Sequence, residues 1–189
     1  QTPDGDATLA FANTTESSVD ITYDSNMPIS GFQFDYDGIT LEGVSSASLT
    51  TSSGTFGVIG FSFDGTELPS GQGTLATLTF TTDLDGSTIS LSDVLISGAG
   101  GTNIGVTGPA DGAIPVCAQS PYFDDNADSD GYGTGDSSQY CDANVDSGWI
   151  LQGGDNCPND ANNDQTDTDG DTEGDTCDAD DDNDGCLDG

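Results

Sequence analysis

The chain has 189 residues and only 32% hydrophobic content, low for a globular chain of this size, so the apolar residues must be concentrated in part of it. It carries 35 acidic residues and no Lys, Arg or His, a formal net charge of -35, so no carboxylate can find an internal cation. Nucleic acid and direct membrane insertion are excluded: phosphate contacts need Lys or Arg, and no run is apolar and long enough to span a bilayer. Self-repulsion on this scale calls for bound metal and salt.

From Ala7 to Ser97 the sequence reads as short strands of alternating apolar residues between polar turns. Val19, Ile21 and Tyr23 alternate, as do Phe32, Phe34 and Tyr36, then Ile59, Phe61 and Phe63, then Ala76, Leu78 and Phe80. Further strands are predicted at Thr8 to Ala12, Ile39 to Gly43, Ala47 to Thr51 and Thr88 to Ile96, with turns at Asp37-Gly38, Asp64-Gly65 and Asp85-Gly86. No long helical period interrupts them, so the predicted class is an all-β sandwich with two inner faces.

The run Val19-Asp20-Ile21-Thr22-Tyr23-Asp24, followed by Met27-Pro28-Ile29-Ser30-Gly31-Phe32-Gln33-Phe34, resembles cohesin-like and related bacterial carbohydrate-binding sandwiches of jelly-roll type. That resemblance implies residues 1–98 as the sandwich and, as in cohesins, the docking of a calcium-binding partner module. A sandwich used as a plain spacer fits the same residues. Residues 99–121, rich in Gly, Ala and Pro with apolar beads at Ile104 to Val106 and Ile114 to Val116, read as a linker or a last edge strand.

Acid then becomes dense. Gln1 to Pro121 holds 14 acidic residues, whereas the shorter span from Tyr122 to Gly189 holds 21, and residues 122–189 are read as an Asp-rich calcium-binding region. Asn126, Asp128, Asp130, Gly131 and the Tyr132 carbonyl fit the start of a calcium loop that Asp136 could close. The segment YFDDNADSDGYGTGD looks like Asp-rich repeats of secreted bacterial proteins. Tyr122, Phe123, Tyr132, Tyr140, Trp149, Ile150 and Leu151 supply the large apolar groups of this half, for a small core or a sugar-stacking platform. Cys117 and Cys141 bracket the loop, and a disulfide between them is the first expectation.

Asp155 to Gly189 contains almost no apolar side chain and must fold around something else. Asp167, Asp169, Asp171, the Glu173 carbonyl, Asp175 and Asp178 fall at positions 1, 3, 5, 7, 9 and 12 of a calcium loop, where alternate oxygens meet on one concave side. Asp180, Asp182, Asp184, Gly185 and Asp188 open a second such loop. The alternative, a solvated acidic tail, has no reason to space Asp, Gly and Cys so regularly.

Asp155 to Pro158, Asn162 to Asp171 (with Asp164) and Gly174 to Asp178 match the pattern D-N-C-P, N-x-D-Q-x-D-x-D-x-D and G-D-x-C-D, so residues 155–189 resemble a thrombospondin type 3 repeat. The resemblance implies a ribbon wrapped around several Ca2+ ions, with little regular structure and a Cys157 to Cys177 disulfide. Thr172 departs from it, standing where the family usually has the glycine of the sharp turn. Cys186 is left as the odd cysteine.

Cysteines beside calcium loops point to an oxidising, calcium-rich compartment, that is, a secreted or cell-surface location, and the start at Gln1 without Met is as expected after signal cleavage. Zinc is disfavoured by the lack of His and of finger spacing. An enzyme is not expected, since general acid–base and nucleophilic chemistry draw on His, Lys or Cys–His pairs. Two carboxylates could hydrolyse a glycoside, but nothing singles out such a pair. The leading expectation is a calcium-binding structural subunit of an extracellular filament or matrix, self-associating through calcium. The runner-up is an adhesion module on a calcium-stiffened stalk, whose partner is a polysaccharide or another cell-surface protein.

Overall fold

The computed structural model describes residues 2–54, 57–125 and 128–187. The chain divides into two compact units, Gln1–Cys117 and Ala118–Gly189.

The first unit is a sandwich of ten strands: β1 (Gly5–Ala12), β2 (Ser18–Ser25), β3 (Gly31–Asp37), β4 (Leu41–Ser45), β5 (Thr50–Gly54), β6 (Gly57–Phe61), β7 (Gly71–Phe80), β8 (Ser87–Gly98), β9 (Thr102–Thr107) and β10 (Gly112–Ile114). They follow the order β4-β7-β2-β1-β9-β8-β3-β6-β5, with β10 added on β8. β1 and β9 pair in parallel, and the neighbouring pairs are antiparallel. The two ends of this path return to each other, Thr51 Oγ1 on β5 donating to the Val44 carbonyl on β4 at 3.0 Å. The sheet is thereby folded over into two layers, and its terminal strands are not left as open edges facing away from each other.

One contiguous core fills the space between the layers. Leu9, Val19, Ile21, Leu75 and Leu78 come from one side, and Phe34, Val58, Ile89 and Ile96 from the other. Full burial of each such side chain contributes about 1.5–3 kcal/mol, so this unit is stabilised without any ion. The alternation Val19, Ile21, Tyr23 faces inward as predicted. Ala76, Leu78 and Phe80 do too, and Leu75 joins them because β7 bulges opposite the step from Ile21 to Thr22, so that a residue on the other parity also turns in.

The alternating row on β6 lies on the opposite face from the one a core reading gives it. Val58 and Gly60 point inward, while Ile59 is 40% exposed and Phe63, just beyond the strand, 81% exposed. Gly60 explains the register: the Phe32 ring occupies the place where a Cβ would stand, so only glycine can take the inward position there. Period-2 alternation identifies a strand but leaves its buried parity to its neighbours. Residues 99–121, read from sequence as linker or edge strand, contain β9, β10 and the beginning of β11 (Gln119–Asp124). Ile104 and Ile114 are part of the sandwich core.

The second unit begins with a three-stranded sheet, β12 (Thr134–Cys141), β11 and β13 (Trp149–Ile150), in the order β12-β11-β13. The aromatic residues pack on one another. Tyr122 meets Tyr140 edge-on at 6.2 Å between centroids, and Tyr140 meets Trp149 at 4.8 Å. Burial raises the pKa of the Tyr122 hydroxyl, with the nearby Asp142 carboxylate adding to the effect. Beyond Ile150 the described residues form no further strand, only turns, bends and an isolated parallel bridge of Gly153 with Gly133. Cys157, fully buried, is disulfide-bonded to Cys177, as the repeat resemblance implied. Cys117 and Cys141 are each disulfide-bonded as well, and Cys186 is an exposed free thiol.

Candidate metal centre

Among the described residues, three groups of carboxylates converge in the second unit: Asp128, Asp130 and Asp155; Asp167, Asp169 and Asp171; and Asp180, Asp182 and Asp184. Within each group the oxygens lie within 4.8 Å of one another. At that separation, and at an effective dielectric of about 20, each pair of full charges repels by about 3–4 kcal/mol. The chain contains no cation to relieve this. A hard divalent ion is the ligand class that such oxygen-only sets suit.

The second and third groups are built locally by side chains bonding the backbone just ahead of them. Asp167 accepts from the N–H groups of Gly170 at 2.7 Å and Thr172 at 3.1 Å, Asp169 from Asp171 at 3.0 Å, and Asp171 from Glu173 at 2.8 Å. Asp180 accepts from Asp184 and Gly185, both at 3.1 Å. These turns curl the backbone around one centre. Thr172 takes a φ of 87°, a left-handed conformation that favours glycine, so the turn forms at the cost of holding a β-branched residue in a disfavoured region. Asn183, also left-handed at 53°, makes a close contact to Asp169 Oδ2 through its amide and ties the third loop to the second.

Not every expected ligand joins these groups. The Asp175 carboxylate accepts from the N–H and hydroxyl of Thr168, both at 2.7 Å, and lies outside the Asp167 group. Asp178 accepts from the Asp180 N–H at 3.0 Å and is likewise outside. Glu173, expected through its carbonyl, has an exposed side chain. Asp164 is exposed and apart from the groups, and Asn126 and Asp188 lie outside the described residues.

The first group differs from the expected loop. Asp136 is exposed on β12, and its place beside Asp128 and Asp130 is taken by Asp155. Tyr132 contributes its N–H, donated to Asp130 Oδ1 at 2.8 Å. The long-range partner is positioned by Gly133, whose N–H donates to the Gln152 carbonyl at 2.9 Å and whose carbonyl accepts from Gly154 at 3.0 Å and Asp155 at 3.2 Å. A Cβ on Gly133 would press on the Asp124 carbonyl at 2.7 Å and Phe123 at 2.8 Å. Only glycine lets this stretch lie so close against β11.

Asn162 and Gln165 then hold Asp130. The Asn162 N–H donates to Asp130 Oδ2 at 3.1 Å and Gln165 Nε2 to the same oxygen at 3.0 Å. Gln165 also accepts from the Asn156 N–H at 2.8 Å, and the Asn163 amide contacts the Asp130 carbonyl. Asp130 and Asn162 are buried, at 6% and 5% exposure. Asp128 Oδ2 is buried with no hydrogen-bond donor. A desolvated carboxylate oxygen without a partner is costly, and here a divalent ion is the group that fits it. Sequence reading placed Asn162 through the repeat pattern alone and missed Gln165 and Gly133, which act by supporting ligands from 20 or more positions away.

The fold and site thus define an all-β sandwich followed by a disulfide-linked Asp-rich ribbon with three cation-ready groups. No protein-family model and no curated relative matches the chain. Among solved structures it is similar to a chain of a type I cohesin–dockerin complex from Clostridium thermocellum, at 15% identity over 60% of this chain and 95% of that one, with a TM-score of 0.46. It is also similar to a non-cellulosomal cohesin from Archaeoglobus fulgidus, at 12% identity over 60% and 92%, again with a TM-score of 0.46. A cohesin module of a Clostridium perfringens family 33 glycoside hydrolase gives 13% identity over 61% and 98%, with a TM-score of 0.39.

Proposed function

We propose that this chain is a secreted, calcium-binding structural protein, a subunit of an extracellular filament or matrix in which Ca2+ both folds the ribbon and joins copies. The observation that carries this reading is the convergence of three carboxylate groups in a chain with no cation of its own. Two disulfides fit an oxidising compartment, where free calcium is high enough to fill sites of modest affinity. Subunits each carrying a net charge of -35 repel, so association depends on bridging divalent ions and reverses on chelation. Calcium titration calorimetry combined with sedimentation tests it: several ions per chain and calcium-dependent, chelator-reversible association are expected. Absence of calcium binding would refute the whole reading, and a monomer at millimolar calcium and high protein concentration would refute the assembly part.

A second reading, a docking module on a calcium-stiffened stalk, is favoured by the outer face of β8-β3-β6. Gly31 and Gln33 form the floor of a groove of about 570 Å³ flanked by Ile59, Phe61 and Leu95. Leu95 is 62% exposed and the Phe63 ring stacks edge-on against Phe61. An exposed apolar concavity on an otherwise acidic surface suits a protein partner with an apolar centre. A calcium-loaded chain that never self-associates would move this reading to the front.

A further inference from the structure

The three carboxylate groups are not equivalent. Two are assembled from five consecutive residues each, so an unfolded segment can gather them around an ion with no help from the rest of the chain. The Asp128, Asp130 and Asp155 group exists only when the loop after β11 and the first residues of the ribbon are already side by side. It is also the group whose surroundings are finished: Asp130 is buried and receives donors from Tyr132, Asn162 and Gln165, while the buried Asp128 Oδ2 receives none. An orphaned carboxylate oxygen inside a preorganised, anionic pocket points to a cation.

We propose that this group is the tightest divalent-cation site of the chain and acts as a clasp: its ion, and not those of the two local loops, sets the calcium concentration at which the second unit orders. This rests on the calcium reading above. The physical basis is linkage. An ion that binds only the folded arrangement adds its binding free energy to folding, whereas an ion that a local loop can hold while the rest is unfolded adds less. Burial and the fixed donors around Asp130 also reduce what must be ordered on binding.

The test follows amide exchange of Asn162 and Gln165 in the whole chain as calcium is raised, in wild type, Asp128→Asn, Asp155→Asn and Asp182→Asn. Both first-group variants keep a side-chain oxygen for the N–H they accept, from Asp130 and Cys157 respectively. The expected result is a calcium midpoint at least tenfold higher for Asp128→Asn and Asp155→Asn, and less than threefold higher for Asp182→Asn. At saturating calcium Asp128→Asn and Asp155→Asn should both reach the wild-type protection, so that only the midpoint moves. A lowered plateau with an unchanged midpoint would mean a purely structural role for Asp128 and overturns the proposal. Equal midpoints in all three variants overturn it too, while leaving calcium binding intact. If wild type shows no calcium response at all, the functional reading itself has failed. A variant that never orders at any calcium concentration is compared with its partner on the other segment, and disagreement between the two also counts against the clasp.

Discussion

The sandwich and the ribbon unit hold a cation-free chain in shape by opposite means. In the first unit, side chains such as Val19, Ile21, Phe34, Leu75 and Ile89 are fully buried, and the 14 carboxylates that precede Tyr122 are scattered over its length. In the second, the buried apolar groups among the described residues are Tyr122, Cys141 and Cys157, the last two of them disulfide-bonded, and the buried polar groups are Asp130 and Asn162. Ordering one residue costs about 1–2 kcal/mol of backbone entropy. The first unit offsets this with apolar area. The second has too little of it, and on the proposal above its converging carboxylates offset the shortfall as ligands of bound cations. On that reading, composition that looks disordered in isolation specifies a structure once its counterion is counted.

Chelation is the largest expected effect and the most direct way to break this contrast. In excess chelator, amide protection from Asp155 to Leu187 should be lost almost completely, while that of β2, β3 and β7 stays within about twofold, since among the described residues of the sandwich no three carboxylates converge. Slow exchange persisting through the ribbon without calcium would show that the disulfide and hydrogen bonds suffice, and the contrast would fall.

Phe34→Ala probes the other side. Phe34 is fully buried, with its ring stacked on Phe32 at 5.8 Å between centroids, so the change should cost the sandwich about 3–5 kcal/mol. Denaturant unfolding with and without calcium measures it, and the loss should be the same in both. A loss that calcium rescues would mean that the first unit, too, depends on the ion.

Much of this division was legible in the residues. The strands announced themselves by alternation, the ribbon by Asp at every second position, and the two adjacent-residue groups at Asp167 and Asp180 fell within the loops expected of them. What sequence could not supply is whatever depends on distant partners. The facing of Ile59 and Phe61 is decided by the Phe32 ring over Gly60, and the substitution of Asp155 for Asp136 is decided by backbone bonds at Gly133. Neither has a local signature. A loop frame extends along the chain, whereas a cation gathers whatever oxygens the fold brings to it. Asp175 shows the converse: it occupies the right position in the frame, yet its carboxylate is taken by Thr168, which lies 7 residues back.

Thr172→Gly sharpens the comparison within the ribbon. A β-branched residue at φ 87° is held against a preference of about 1–2 kcal/mol, and glycine relieves it while adding about 0.5–1 kcal/mol of unfolded-chain entropy. The net gain should be below about 1 kcal/mol, read as a severalfold lower calcium midpoint for the Asp167 loop and no change in the sandwich. An unchanged or higher midpoint would mean that the Thr172 side chain contributes something that its conformation does not reveal.

The smallest expected effect lies in the sandwich and concerns acid. Asp20 on β2 accepts from Asn13 Nδ2 at 2.8 Å and from Thr77 Oγ1, directly across on β7, at 2.6 Å. These hydrogen bonds, Asn13 first and Thr77 second, hold its pKa below the usual value of 3.8 against a smaller opposing effect of burial. Because the folded value is the lower one, the folded state binds fewer protons than the unfolded state in the window between them. The contribution of Asp20 is therefore fully present above pH 3.8 and is lost as pH falls through the folded value. Asp20→Asn removes the titration, so the difference in sandwich stability between wild type and variant should shrink on acidification, by at most about 1 kcal/mol for so solvated a group. Sandwich amides are the proper probe, since acid also releases calcium from the ribbon and would swamp a whole-chain signal. A difference that stayed constant from pH 6 down to pH 2, a range of about four units centred on the ordinary carboxylate value, would show that the two hydrogen bonds do not favour the charged form.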